Sequence, residues 1–280
     1  MPIDLHTHSR ASDGTDSPTD LVIAAAAADL DVVALTDHDT IAGWDEALAA
    51  APDGVEVVPG VELSAYSDEP GGRVSLHLLG YWPDPTDKAL QASLLTMRDS
   101  RDTRARRMVA GLAAAGVPVS WSEVEADAQG GVVGRPHVAR ALVRAGLVPD
   151  VGAAFTPEWI GARSRFYVDK LELPALEAVR LVLAAGGVPV FAHPRAARRG
   201  PTVGDDTVAA MAAAGLVGLE VDHPDHLPEE RAELRALGAD LGLVVTGSSD
   251  YHGANKTTPL GACTTTPAAL QALRAARGGA

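Results

Sequence analysis

Ile3-Asp4-Leu5-His6-Thr7-His8 is the first strand-like segment of the chain, and it fixes how the rest is read. Alternation along an extended backbone puts His6 and His8 on the same side. Two imidazoles so placed are a ready-made half of a metal site. The same pattern recurs further on. Short β-branched or apolar runs at residues 3–7, 32–36, 55–63, 74–81, 188–192, 218–221 and 243–246 predict strands. Most of them end in metal-competent side chains: Thr36-Asp37-His38-Asp39, Gly60-Val61-Glu62, Ala192-His193-Pro194, Glu220-Val221-Asp222-His223 and Ser248-Ser249-Asp250-Tyr251-His252. His77 lies inside the fourth run, and Asp13 in the loop after the first.

Amphipathic stretches at 18–29, 40–50, 173–185, 207–214, 228–241 and 267–276 separate most of these runs and predict helices, several opening on Thr, Pro or Asp. Strands alternating with helices imply a parallel sheet with crossover helices. Seven strands fit a closed α/β barrel slightly short of eight. An open dinucleotide-binding sheet loses its support, because no Gly-x-Gly-x-x-Gly follows the first strand. The rhythm breaks between Tyr81 and Val188, where the pattern is helical at 86–115, 122–128 and 136–145 and looser through 155–165. The expected organisation is a βα barrel from residues 1–84 and 170–280, with an inserted helical domain at 85–169 over one end.

Composition narrows the function. The chain has 280 residues, 46% of them apolar, which is enough for a full core. A formal charge of −14 argues against holding long nucleic acid or an anionic membrane by surface charge. The lone Cys263 excludes an intramolecular disulfide and a thiolate zinc cage. Neither a membrane span nor a signal peptide is read from the sequence, so the expected location is the cytoplasm.

Taken singly, His77 reads as a core histidine, and Asp13 and Asp37 as loop or cap residues. Together the residues say something else. Seven of nine histidines fall at or near predicted strand ends, and the carboxyl ends of barrel strands share one face. That concentration predicts a polynuclear metal centre.

At these residues the chain resembles the PHP (polymerase and histidinol phosphatase) family of metal-dependent phosphoesterases. The segments 4–8, 36–39, 192–194 and 249–252 follow its four signatures in order. The resemblance implies a distorted seven-stranded barrel and nine ligands for two to three divalent transition-metal ions: His6, His8, Asp13, His38, Glu62, His77, His193, Asp250 and His252. It also implies that Glu62 bridges two ions, with His6, His8 and Asp250 on one side and His77 and His193 on the other. Asp13, His38 and His252 hold the third. Imidazole with carboxylate suits Mn²⁺, our first choice, or Fe²⁺ or Zn²⁺. The implied reaction is hydrolysis of a phosphate ester by metal-bound hydroxide.

Within the family, the subgroup with a helical insertion has an Arg-Pro-His segment over the metals, matched by Arg135-Pro136-His137. Arg135 is therefore expected to clamp a phosphate, beside His137. Arg163 and Arg165 are weaker candidates for a second contact. His223 is a candidate to bind phosphate or protonate the leaving oxygen. Arg98, Arg101 and Arg104 share a helix face, and a merely solvated face is as good a reading. The expected substrate is a small phosphorylated molecule, a nucleoside 3′,5′-bisphosphate or 5′-mononucleotide. Rivals are 5′-3′ trimming of short RNA, histidinol-phosphate hydrolysis, an amidohydrolase and a non-catalytic PHP module. None of Lys88, Lys170 and Lys256 ends a predicted strand, as an amidohydrolase would want.

Overall fold

The Val- and Leu-rich runs pair into one sheet that curls into a nearly closed barrel, in a computed structural model describing residues 1–277. Its strands are β1 (Ile3–Thr7), β2 (Val32–Leu35), β3 (Glu56–Glu69), β4 (Gly72–Tyr81), β5 (Leu173–Pro174), β6 (Val188–Phe191), β7 (Gly218–Asp222) and β8 (Val244–Gly247). The sheet order is β1-β2-β3-β4-β6-β7-β8, with the two-residue β5 pairing with β3. The seam is closed beyond the strand ends, where Thr7 bridges Tyr251 and His8 N–H donates to Tyr251 O at 2.8 Å. All seven predicted strands are barrel strands. Only β5, too short to carry a pattern, was not anticipated.

One expectation is corrected: the sheet is not parallel throughout. β4 runs antiparallel to both β3 and β6. The cause is local. β3 does not stop at Leu63 but continues to Glu69, and the two-residue Pro70-Gly71 loop turns it directly into β4. Gly72 follows with a φ of +111°, a conformation that favours glycine. A connection this short makes a hairpin, since a parallel return needs a crossover. The polar Ser67-Asp68-Glu69 end of β3 broke the apolar run on which the prediction rested. The hairpin pairs Ser64 with His77, which places His77 mid-strand beside Glu62.

The helices are α1 (Pro18–Ala27), α2 (Trp44–Ala50), α3 (Lys88–Ala114), α4 (Trp121–Ala128), α5 (Arg135–Arg144), α6 (Ala175–Ala184), α7 (Asp205–Ala213), α8 (Pro228–Asp240) and α9 (Pro267–Ala276). Side chains of Ser17, Asp87, Ser120 and Thr266 cap the exposed N–H groups at the starts of α1, α3, α4 and α9. Helix does not begin at residue 40 as expected. Asp39 is left-handed at φ +53°, and residues 40–43 turn before Trp44, whose indole N–H donates to Gly60 O at 2.7 Å.

Two apolar clusters meet along α3. Leu90, Leu94 and Met97 from its first half pack with Ala178, Val179 and Val182 of α6 and with the β3–β4 hairpin. Ala105, Met108 and Leu112 from its second half pack with Val124, Val138, Leu142, Ile160 and Phe166. At 1.5 Å per residue this helix spans about 40 Å, so it carries the helical unit out from the barrel. No helix among the described residues is long and apolar enough to cross a membrane.

Candidate metal centre

Six segments deliver histidines and carboxylates to one end of the barrel. β1 contributes His6 and, just past its end, His8, with Asp13 in the following loop. His38 follows β2 and bridges to Glu62 in β3. His77 comes from β4, His193 from the turn after β6, and Asp250 and His252 from the turn after β8. Eight of these nine are buried, and His77 is half-buried. The backbone is strained where it must aim them: φ is +31° at His193 and +53° at Asp250.

Glu62 is the hub. Its Oε2 lies 3.2 Å from His6 Nε2, 3.1 Å from His8 Nε2 and 3.0 Å from His38 Nδ1. Its Oε1 lies 2.9 Å from His77 Nδ1 and 3.1 Å from His193 Nε2. Of these contacts, the one between His193 Nε2 and Oε1 has hydrogen-bond geometry. Buried Nδ1 atoms of His8, His38 and His77 have no hydrogen-bond partner. The Nδ1 atoms of His38 and His77, held close to the Glu62 carboxylate without a hydrogen bond to it, share with it a common target, as ligands of a cation do.

The nine residues fall into four overlapping groups whose donor atoms lie within 4.8 Å of one another: His6-His8-Asp250, His6-Glu62-His193, His38-Glu62-His77 and His8-Asp13-His38-His252. Imidazole and carboxylate donors without thiolate fit a divalent transition metal. Charge in the centre is tightly coupled. Burial would raise Glu62, but the surrounding imidazoles of His38, His77 and His6 hold its carboxyl well below the usual range. Burial lowers His38 to about 3 and His252 to about 4, leaving both neutral, the form that ligates.

A second ring of residues fixes the first. Glu220 Oε1 lies 3.1 Å from His6 Nδ1 and accepts from Ser248 Oγ, while Oε2 accepts from His193 N–H at 2.7 Å. Asp37 accepts from Ser9 and Ser12, folding the loop that carries Asp13. Asp4 accepts from Ser249 N–H and Gly261 N–H, tying β1 to the turn that carries Asp250. Arg199 and Lys256 both donate to Asp250 Oδ2, at 2.5 and 2.6 Å. Sequence reasoning missed the roles of Glu220, Arg199 and Lys256. Glu220 had a readable signal, an acid between Leu219 and Val221 in an apolar strand; the two cations, in loops, had none.

The remaining candidates separate. His223 is buried beside Asp250, with Nε2 3.5 Å from Asp250 Oδ2 and no hydrogen bond there. Its Nδ1 accepts from Asp225 N–H, so the neutral ring carries its proton on Nε2. His223, Arg199, Asp250 and Lys256 line a cleft of about 480 Å³ that reaches Asp150-Val151-Gly152 of the insertion. Arg135 is half-buried at the start of α5, where Gly134 abuts Asp13: a Cβ at 134 would lie 3.6 Å from Asp13 Oδ2. His137 turns inward, fully buried, its Nδ1 accepting from Gly134 N–H to cap α5. Arg163 and Arg165 are exposed, and Arg165 lies over the Phe166 ring. The solvated-face reading fails for Arg101 and Arg104, which are only 6% and 5% exposed. Arg98 is exposed. Arg101 donates to Asp39 Oδ2 at 2.5 Å and to Ser64 Oγ at 2.8 Å, joining α3 to the barrel next to His38.

Comparison with known proteins agrees with this architecture. Residues 4–106 match the PHP domain. The 3′,5′-nucleoside bisphosphate phosphatase of Chromobacterium violaceum is 36% identical over 258 residues, covering 89% of this chain and 87% of that protein. A 5′-3′ exoribonuclease of Haemophilus influenzae is also 36% identical, over 251 residues and 89% of each chain. A crystal structure from Bifidobacterium adolescentis, assigned to the metal-dependent phosphoesterases, superposes with a TM-score of 0.93 at 35% identity. It spans 99% of this chain and 98% of its own. With the barrel, the buried histidine cluster and relatives that match along nearly its whole length, this chain belongs to the PHP family of metal-dependent phosphoesterases.

Proposed function

We propose that the chain is a phosphatase that removes phosphate from a small nucleotide, a nucleoside 3′,5′-bisphosphate or a 5′-mononucleotide, at a trinuclear centre. The observation that carries the reading is Glu62 with five imidazole nitrogens within 3.2 Å. Nine residues, His6, His8, Asp13, His38, Glu62, His77, His193, Asp250 and His252, are the ligands, with Mn²⁺ the first choice and Fe²⁺ or Zn²⁺ the alternatives. Divalent ions there supply an activated water at neutral pH and neutralise charge on the phosphoryl oxygens.

The protein's own groups do the rest. Glu220 holds His6 with Nδ1 protonated, leaving Nε2 free toward Glu62. His223 offers its Nε2–H from the cleft wall, to a phosphoryl oxygen or to the leaving oxygen. Arg199 and Lys256 keep Asp250 ionised: burial would raise its carboxyl, but Lys256, Arg199 and His6 hold it well below the usual range. Arg135 reaches the substrate phosphate from the insertion side. The helical unit at residues 85–169 selects what enters, since it supplies Arg135 and closes one end of the cleft.

The test is a phosphate-release screen with Mn²⁺ over nucleoside 3′,5′-bisphosphates, 5′- and 3′-mononucleotides, histidinol phosphate and short 5′-phosphorylated RNA. Fastest turnover of a bisphosphate or mononucleotide supports the reading. Preference for RNA moves the chain to the activity of its Haemophilus relative, and preference for histidinol phosphate overturns the nucleotide assignment.

A further inference from the structure

Asp39 directly follows His38 and holds a left-handed backbone, φ +53°, that a non-glycine residue keeps only when its surroundings impose it. What imposes it is a buried knot of three side chains. The Asp39 carboxylate accepts from Ser64 N–H and Ser64 Oγ, each at 2.7 Å, and from Arg101 Nε at 2.5 Å. The same guanidinium donates to Ser64 Oγ at 2.8 Å. Asp39 N–H in turn donates to Glu62 O at 3.0 Å, and Glu62 N–H to Asp37 O at 3.2 Å, so the backbone on both sides of His38 is laced to β3. His38 Nδ1 is thereby held 3.0 Å from Glu62 Oε2, buried and without a hydrogen-bond partner.

Arg101 comes from outside the barrel strands. It lies on α3 between Met97, which packs with the barrel, and Ala105, which packs with the helical unit. Asp39, Ser64 and Arg101 are 1%, 0% and 6% exposed, and Arg101 is the only lysine or arginine within 4.0 Å of Asp39 among the described residues. A carboxylate this deeply buried depends on its counter-ion; without the guanidinium it must take up a proton or move. The left-handed turn then loses an anchor, and the His38 ring, one peptide away, loses its aim. The other side of the centre stands on different groups, Glu220 behind His6 and Asp4 behind the Asp250 turn. A planar fork that bonds Asp39 and Ser64 at once is beyond a lysine, which is a point charge.

We propose that Arg101 is a positioning residue for the metal centre: through Asp39 it aims His38, and so makes the ion that His38 holds depend on α3 being docked against the barrel. The inference rests on the metal-centre reading and adds which part of the insertion supports it. It sets Arg101 apart from Arg140, whose pairing with Asp127 lies wholly within the helical unit.

The test is competition with a chelating dye for Mn²⁺, run on the wild type, Arg101→Gln, His38→Ala and the double variant, each first checked for folding without metal by circular dichroism. Arg101→Gln should weaken one ion by about 10–100-fold and leave the others unchanged. His38→Ala should weaken the same ion, and adding Arg101→Gln to it should cost no further affinity, because the arginine acts only through that imidazole. Arg101→Lys, which keeps the charge but not the fork, should fall between the wild type and Arg101→Gln; it replaces the glutamine variant, alone and in the double, if that one does not fold. Arg140→Gln breaks an ion pair of the same chemistry and should keep wild-type affinity for every ion. Wild-type affinities in the folded Arg101 variants, an equal loss in Arg140→Gln, or losses that multiply in the double variant overturn the proposal. Failure of the metal reading shows separately, as a wild type that takes up no Mn²⁺.

Discussion

Glu220→Gln replaces one oxygen of a buried carboxylate by an amide NH₂ and barely changes its volume. The native group faces donors on every side: His6 Nδ1 at 3.1 Å and Ser248 Oγ on Oε1, and His193 N–H at 2.7 Å on Oε2. Burial would raise its pKa, but His6 and His223 hold the carboxyl far below the usual range, so it is ionised at neutral pH. A carboxamide has one acceptor oxygen for those donors. If that oxygen keeps His193 N–H, the NH₂ faces His6 and makes Nδ1 an acceptor. The His6 proton then moves to Nε2, the nitrogen 3.2 Å from Glu62, and removes it as a ligand. If the oxygen keeps His6 instead, NH₂ meets His193 N–H and releases a backbone held at φ +31°. Either way one of the nine proposed ligands is lost. Removing such a partner typically costs 10–100-fold in metal affinity, about 1.4–2.7 kcal/mol. The assay is competition with a chelating dye for Mn²⁺ or Zn²⁺, run beside thermal melts of the metal-free protein. Wild-type metal affinity in a folded Glu220→Gln protein would refute the claim that this carboxylate sets the His6 tautomer.

Three further outcomes follow from buried groups. Arg101→Gln leaves Asp39 without the cation that holds its buried carboxyl down at about 2, and should destabilise by about 3–5 kcal/mol in denaturant titration; a loss under 1 kcal/mol would contradict a structural ion pair. Burial, with Arg101 nearby, pushes Lys170 down to about 8 from 10.5 when unfolded, so between these values the unfolded chain binds more protons and stability rises with pH. Against Lys170→Met, the wild type should therefore gain up to about 3 kcal/mol between pH 8 and 10.5, and a pH-independent difference would count against the shift. Tyr81→Phe removes a buried hydroxyl that donates to Leu5 O at 2.9 Å, and should cost about 1–3 kcal/mol without altering metal content.

What the sequence made legible followed from its punctuation. The barrel strands could be read because the apolar runs are short and all but the third are followed by a helix, and most of the histidines because they sit where those runs end. What escaped had no local periodicity. The direction of β4 depended on the two-residue Pro70-Gly71 loop and on the polar end of β3, which resemble an ordinary strand-to-loop change. Arg101 looked like one of three surface arginines because its partner, Asp39, lies 62 residues away. Arg199 and Lys256 likewise meet Asp250 only through the fold. Glu220 marks the boundary between the two cases: its burial was foreseeable from Leu219 and Val221, but not that its two oxygens would hold two different histidine segments.

The central claim is that the side chains around Glu62 hold several ions rather than one. Anomalous diffraction from crystals grown with Mn²⁺ tests it most directly. Two or three peaks are expected, two of them bridged by Glu62 and each within the donor groups built from His6, His8, Asp13, His38, His77, His193, Asp250 and His252. A single peak, or none among these residues, would contradict it.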